Sequence, residues 1–248
     1  MIPYKDDNPT RTYPIITVLL IVINTGVWIF FRVQGELVYE RAVFEFGMIP
    51  WEIFHRTNLP FREFAGQYMN YYGQLPGYPA AIPPLLTFFS SMFMHGGFMH
   101  LAGNMLYLWI FGNNVEDYLG HIRFTIYYLV CGLGAAAAHL LFNAGSQIPT
   151  VGASGAISGV LAAYLLLYPA ARVHVLIPVF YYITTATIPA AVMIVFWFFF
   201  QVIATLSGGS GGEGVAYWAH IGGFIVGLGW IYLRRRRRPP RRYYRPGF

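Results

Sequence analysis

Six long apolar runs set the limits on what this chain can become: Pro14–Phe31, Leu85–Phe111, Ile122–Phe142, Val151–Tyr168, Val175–Leu206 and Val215–Leu233. A helix needs about 20 apolar residues to cross a bilayer, where lipid offers no partner to backbone N–H or C=O groups. Hydrophobic residues make up 56% of the chain and charged ones 10%, against about 25% charged in a soluble domain. A soluble globule is excluded. The expected fold class is an all-α polytopic membrane protein, a bundle of six transmembrane helices in a single domain over residues 1–248. The fifth run is too long for one helix and contains Pro178 and Pro189. Its part through Thr187 is expected to be interfacial or re-entrant, with the span proper from about Ile188. The second run is interrupted at Gly96-Gly97, where its helix is expected to start.

The charge distribution sets an orientation. Eight of the sixteen Lys and Arg residues lie between Arg234 and Arg245, directly after the last apolar run. Such a cluster reads as a positive-inside anchor beside anionic lipid rather than a nucleic-acid surface. Residues 234–248 are therefore expected to be a basic cytoplasmic tail, and six spans place the N-terminus on the same side of a cytoplasmic membrane. Residues 35–83 become a long first outer loop. Its aromatics (Phe44, Phe46, Trp51, Phe54, Phe61, Phe64, Tyr68, Tyr71, Tyr72) suit the headgroup layer. The last outer loop, Ser207–Gly214, is almost pure Gly and Ser. "FFRVQGELVYE" follows the first run and offers no small-residue cleavage site, so that run is expected to be a retained anchor. Cys131 stands alone and reads as a small packing residue. No H-E-x-x-H occurs, so a membrane metalloprotease is not expected.

Polar groups inside apolar spans are the functional suspects. Ser154 and His220 both fall roughly 5–8 Å below the outer ends of their spans at the helical rise of 1.5 Å per residue, and His100 belongs to the same layer. Gly155 and Gly159 form a small face beside Ser154. Ala219, Gly223 and Gly227 do the same beside His220, and such faces let helices approach to backbone contact. If the two faces pack, the hydroxyl meets the imidazole, and histidine is the usual base for a nucleophilic serine. A carboxylate commonly orients that base, but after Asp117 the chain holds only Glu213. A Ser-His dyad is the remaining option. His100 and Asn104 lie four apart on one helical face. With the backbone N–H of Ser154, which opens its helix, they could bind an oxyanion.

"GASGA" departs from the G-x-S-x-G nucleophile elbow at Ala156, and no strand precedes it. Taken together, "HGGFMHLAGNM", "FGNNVEDYLG", "GASGAISG" and "AHIGGFIVG" resemble the rhomboid intramembrane serine proteases over roughly Pro79 to Leu233. The resemblance implies a rhomboid-like six-helix bundle whose protease core spans 79–233 and whose leading helix is 14–31. It also implies Ser154 as nucleophile, His220 as base, and His100 and Asn104 as oxyanion donors. Gly152, Gly155 and Gly159 would be structural glycines, and Glu116 an acidic residue tying down the long first loop. The substrates implied are single-span membrane proteins cut near the outer face, without cofactor or metal. The loop Ser207–Gly214 would be a movable cap, and Trp197–Phe200 would line a lateral opening. Two positions depart from the family pattern. Leu86-Thr87 stand where a Trp-Arg pair is usual, and Ser158 stands where an aromatic residue often stacks on the base. Two rivals remain open: a catalytically inactive rhomboid-like protein that binds and remodels membrane clients, and a transporter or channel.

Overall fold

The computed structural model describes residues 1–56, 82–179, 181–207 and 216–237. Several expectations lie outside the described residues: Phe61, Phe64, Tyr68, Tyr71 and Tyr72 in the first loop, most of Ser207–Gly214 including Glu213, and the tail beyond Arg237.

The chain opens with a strand, β1 (Ile2–Asp6), followed by helices α1 (Ile15–Arg32), α2 (Glu36–Phe46) and α3 (Pro50–His55). A short irregular helix, α4 (Pro84–Phe93), leads to Gly96-Gly97, and α5 (Phe98–Tyr107) starts directly after that pair. A wide turn at Leu108–Gly112 joins α5 to α6 (Asn113–Leu119), so residues 98–119 run as one helical segment. Next come α7 (His121–Phe142), α8 (Ser154–Leu167), the hairpin β2 (Arg172–Val179) and β3 (Tyr182–Pro189), then α9 (Ala190–Leu206) and α10 (Tyr217–Arg237).

The all-α expectation is corrected by an antiparallel sheet in the order β1-β2-β3. The segment expected to be interfacial or re-entrant forms β2 and β3, paired from Arg172↔Pro189 to Val179↔Tyr182. Local chemistry accounts for this. Pro178 cannot donate within a helix, and the β-branched residues Val173, Val175, Ile177, Ile183, Thr184, Thr185 and Thr187 favour a pleated surface. Pairing β1 onto β2, from Ile2↔Leu176 to Asp6↔Val173, covers one edge of the hairpin. Among the described residues, α1 and α7 are long and apolar enough to cross a membrane by length and composition, while α8 and α9 are shorter apolar helices.

At the centre of the bundle stands α8, buried at every position from Gly155 to Tyr164. Around it pack α7, α10 and the 98–119 segment. Peripheral α1 contrasts with it: only Thr17, Leu20 and Asn24 are buried, while Leu19, Val22 and Phe30 face outward, as a lipid-facing helix requires. Part of the expected first loop is helical, and its end is tied to the core. Met48 and Thr150 exchange both backbone hydrogen bonds, at 3.0 and 2.9 Å.

Among the described residues, Glu116 bonds the start of α1 and His121 rather than the first loop that the resemblance implied. Its fully buried carboxylate accepts the N–H groups of Ile16 and Thr17 at 2.9 and 2.8 Å and the Thr17 hydroxyl at 2.6 Å. Pro14 gives α1 no side-chain cap. The carboxylate takes over that task from another helix, meeting donors that would otherwise be orphaned at the positive end of the helix dipole.

Candidate active site

Close approach of α8 and α10 creates the site. A Cβ on Gly223 would overlap the carbonyl oxygen of Gly155, and one on Gly227 would lie 2.6 Å from the Cα of Gly159. On the other flank of α8, a Cβ at Gly155 would meet the Cβ of Ala135 at 2.5 Å, and Cys131 packs against Gly159. Ala219 is buried on the same contact, its carbonyl facing Gly155. With lipid as apolar as leucine, such contacts hold helices together by dispersion and backbone proximity rather than by expelling water. Tyr127 of α7 donates its hydroxyl to the Gly159 carbonyl at 2.5 Å and closes the packing from a third side.

Ser154 is the first residue of α8 and His220 the fourth of α10. The packed glycine faces bring Ser154 Oγ within 2.7 Å of His220 Nε2. The other ring nitrogen, Nδ1, lies 2.8 Å from Oε1 of Gln201 on α9. Trp197, one turn earlier on α9, packs its ring 5.7 Å from the imidazole at an interplanar angle of 38°. Ser158 takes no part in this contact, since its hydroxyl bonds the Gly155 carbonyl at 2.6 Å. The aromatic neighbour of the imidazole comes from α9 instead of α8.

Ser154 and His220 lie in the wall of a cavity of about 1110 Å³ that His100, Asn104, His139 and Trp197 also line. Asn104 is buried, and its Nδ2 has no hydrogen-bond partner among the described residues. His100 accepts the Gly96 N–H at Nδ1, at 3.4 Å, which leaves Nε2 to carry the ring proton toward Gly152. Gly152 has φ +124°, and a Cβ there would lie 2.8 Å from His100 Cε1 and Nε2 and 3.6 Å from Asn104 Nδ2. Its N–H donates to the Ser91 carbonyl at 2.8 Å. Backbone conformation and space both demand glycine there. The Ser154 N–H sits at a helix start, where no intrahelical acceptor exists. His100, Asn104 and Ser154 thus share one concavity.

Four of the other five histidines have local partners, while both ring nitrogens of buried His95 find no hydrogen-bond partner among the described residues. His139 Nε2 meets the Thr150 hydroxyl at 2.9 Å, pinning the segment that leads into Ser154. His121 contacts Glu116, His174 contacts Asp7 and Thr187, and His55 stacks on Trp51. Sequence reasoning missed Gln201 because it sought a carboxylate behind His220. An amide within an apolar helix, four residues after Trp197, was the available signal.

The family described as Rhomboid domain matches residues 84–237, and the chain belongs to the rhomboid family of membrane-integral proteins. Among curated proteins, it is 28% identical to the presenilin-associated rhomboid-like protein, mitochondrial, of Rattus norvegicus over 208 residues, covering 80% of this chain and 47% of that protein. The human protein of that name is 30% identical over 149 residues, 56% of this chain and 38% of its own length. RHOMBOID-like protein 5 of Arabidopsis thaliana is 38% identical over 76 residues, 31% and 25% respectively. The chain spans less than half the length of these relatives.

Proposed function

We propose that this chain is an intramembrane serine endopeptidase that cleaves transmembrane segments of membrane proteins with the Ser154–His220 dyad. The 2.7 Å contact between Ser154 Oγ and His220 Nε2, in the wall of a cavity that also holds Asn104 and His100, carries this reading. Ser154 Oγ attacks the scissile carbonyl as its proton passes to His220 Nε2. Negative charge develops on the carbonyl oxygen, and the Ser154 N–H, Asn104 Nδ2 and His100 Nε2–H are the donors for it. The C–N bond breaks as His220 protonates the leaving amine. Water, deprotonated by His220, then releases the acyl group and restores the hydroxyl. No step calls for a metal or cofactor.

The orientation proposed is N-in and C-in across a cytoplasmic membrane through six spans, with the cavity opening to the outer face and single-span proteins as substrates. The sheet supports it by holding the N-terminal strand and the α8–α9 connection together, as that orientation requires. The test is a panel of single-span proteins incubated with wild type and Ser154→Ala, together with fluorophosphonate labelling of Ser154. Cleavage and labelling that vanish in the variant support the reading. Binding of clients without labelling in the wild type would replace it with the client-remodelling role.

A further inference from the structure

We propose that Gln201 completes the catalytic constellation as a positioning residue. Its side-chain oxygen takes the Nδ1–H of His220 and so fixes the tautomer that leaves Nε2 free to accept the serine proton. This rests on the protease reading of Ser154 and His220. A neutral imidazole carries one proton, and the partner of one nitrogen decides where it resides. An acceptor at Nδ1 makes Nε2 the base. A donor at Nδ1 would put the proton on Nε2, aimed at Ser154, where it disables the base; an amide replacing a triad carboxylate fails in that way. An amide can present either face, so its orientation decides between a working site and a dead one.

Two contacts hold the working face toward His220. Oε1 lies 2.8 Å from Nδ1, while the amide nitrogen donates to the Trp197 carbonyl at 3.4 Å. Turning the amide over would set Oε1 against that carbonyl, acceptor facing acceptor, and would lose the bond to Trp197. Thr205 donates its hydroxyl to the backbone carbonyl of Gln201 at 2.8 Å, from the next turn of α9. The same helix packs the Trp197 ring against His220, so α9 both aims the imidazole and backs it. Among the described residues, the titratable groups acting on His220 are His100 of α5 and His139 of α7, neither of them a carboxylate. Gln201 therefore performs, without charge, the orienting task that an aspartate performs in a triad.

The test uses the full chain in detergent, measuring fluorophosphonate labelling of Ser154, kcat and KM on a cleaved single-span substrate, and the pH profile of kcat/KM. Gln201→Leu removes the acceptor and is expected to slow labelling and kcat about tenfold or more, with KM and the thermal midpoint unchanged. Gln201→Glu restores an acceptor and adds a charge. It is expected to keep at least the Gln201→Leu rate and to move the acidic limb of the profile upward by about one pH unit, because a carboxylate favours the imidazolium. Equal rates in wild type and Gln201→Leu, or an unmoved acidic limb in Gln201→Glu, would overturn the positioning role while Ser154 still labels. A wild type that fails to label at Ser154 would instead remove the protease reading, and this inference with it.

Discussion

At the residue scale, the site divides into a group that reacts, groups that stabilise charge and a position that must stay empty. Ser154→Ala is expected to abolish cleavage while leaving the thermal midpoint in place, since among the described residues the lost hydroxyl bonds only His220. Asn104→Ala is expected to reduce kcat about 10–1000-fold, the scale of losing one oxyanion donor, as measured on any substrate that the wild type cuts. Gly152→Ala strains a backbone at φ +124° and drives a methyl into His100, so it should lower both activity and stability. Ser154, His220, His100 and Asn104 were legible in the sequence because polar side chains in apolar spans stand out against a uniform background. Gln201 stands out by the same criterion. It went unread because the search behind His220 looked for charge, whereas tautomer control needs only an acceptor.

At the element scale, α8 and α10 depend on the absence of side chains. Gly223→Ala sets a methyl against the Gly155 carbonyl and the Ser158 hydroxyl. The helices must separate, at a cost of about 2 kcal/mol or more by comparison with overpacked cores. A lowered unfolding midpoint with weaker Ser154 labelling is the expected result. For α1 the critical group lies elsewhere in the chain. Glu116→Ala orphans the Thr17 hydroxyl and two amides at a buried helix start, an expected loss of about 2–4 kcal/mol. Cleavage by the molecules that remain folded should be unchanged, which separates this variant from those at the site. The small-residue spacing announced the α8–α10 contact in advance. The hairpin was harder to read, because a short Val- and Ile-rich run has no periodicity that separates a buried strand from a piece of helix. Pro178 and the threonines after Tyr182 were the discriminating residues.

At the scale of the whole molecule, the fold joins distant parts of the chain on one face. Asp6 accepts the Tyr164 hydroxyl at 2.5 Å and Asn114 Nδ2 at 3.1 Å, linking β1 to α8 and α6. In sealed vesicles, with Cys131→Ala as background, an impermeant maleimide should reach Tyr4→Cys and Tyr182→Cys from the same side and Ile148→Cys from the other. All three positions are exposed, so a failure of that pattern would overturn the proposed threading. The limits of α1 and α7 were readable from apolar length. The sheet was not, because β1 finds its partner about 170 residues later, and single-sequence patterns carry no record of such pairing. Between those two strands the chain runs through α1, the 98–119 segment, α7 and α8. Only an even number of membrane passages returns it to the face it left. The hydrogen-bonded strands therefore act as a parity check: any insertion error that drops a single passage leaves a bilayer between β1 and its mate, and a misthreaded molecule cannot close its sheet.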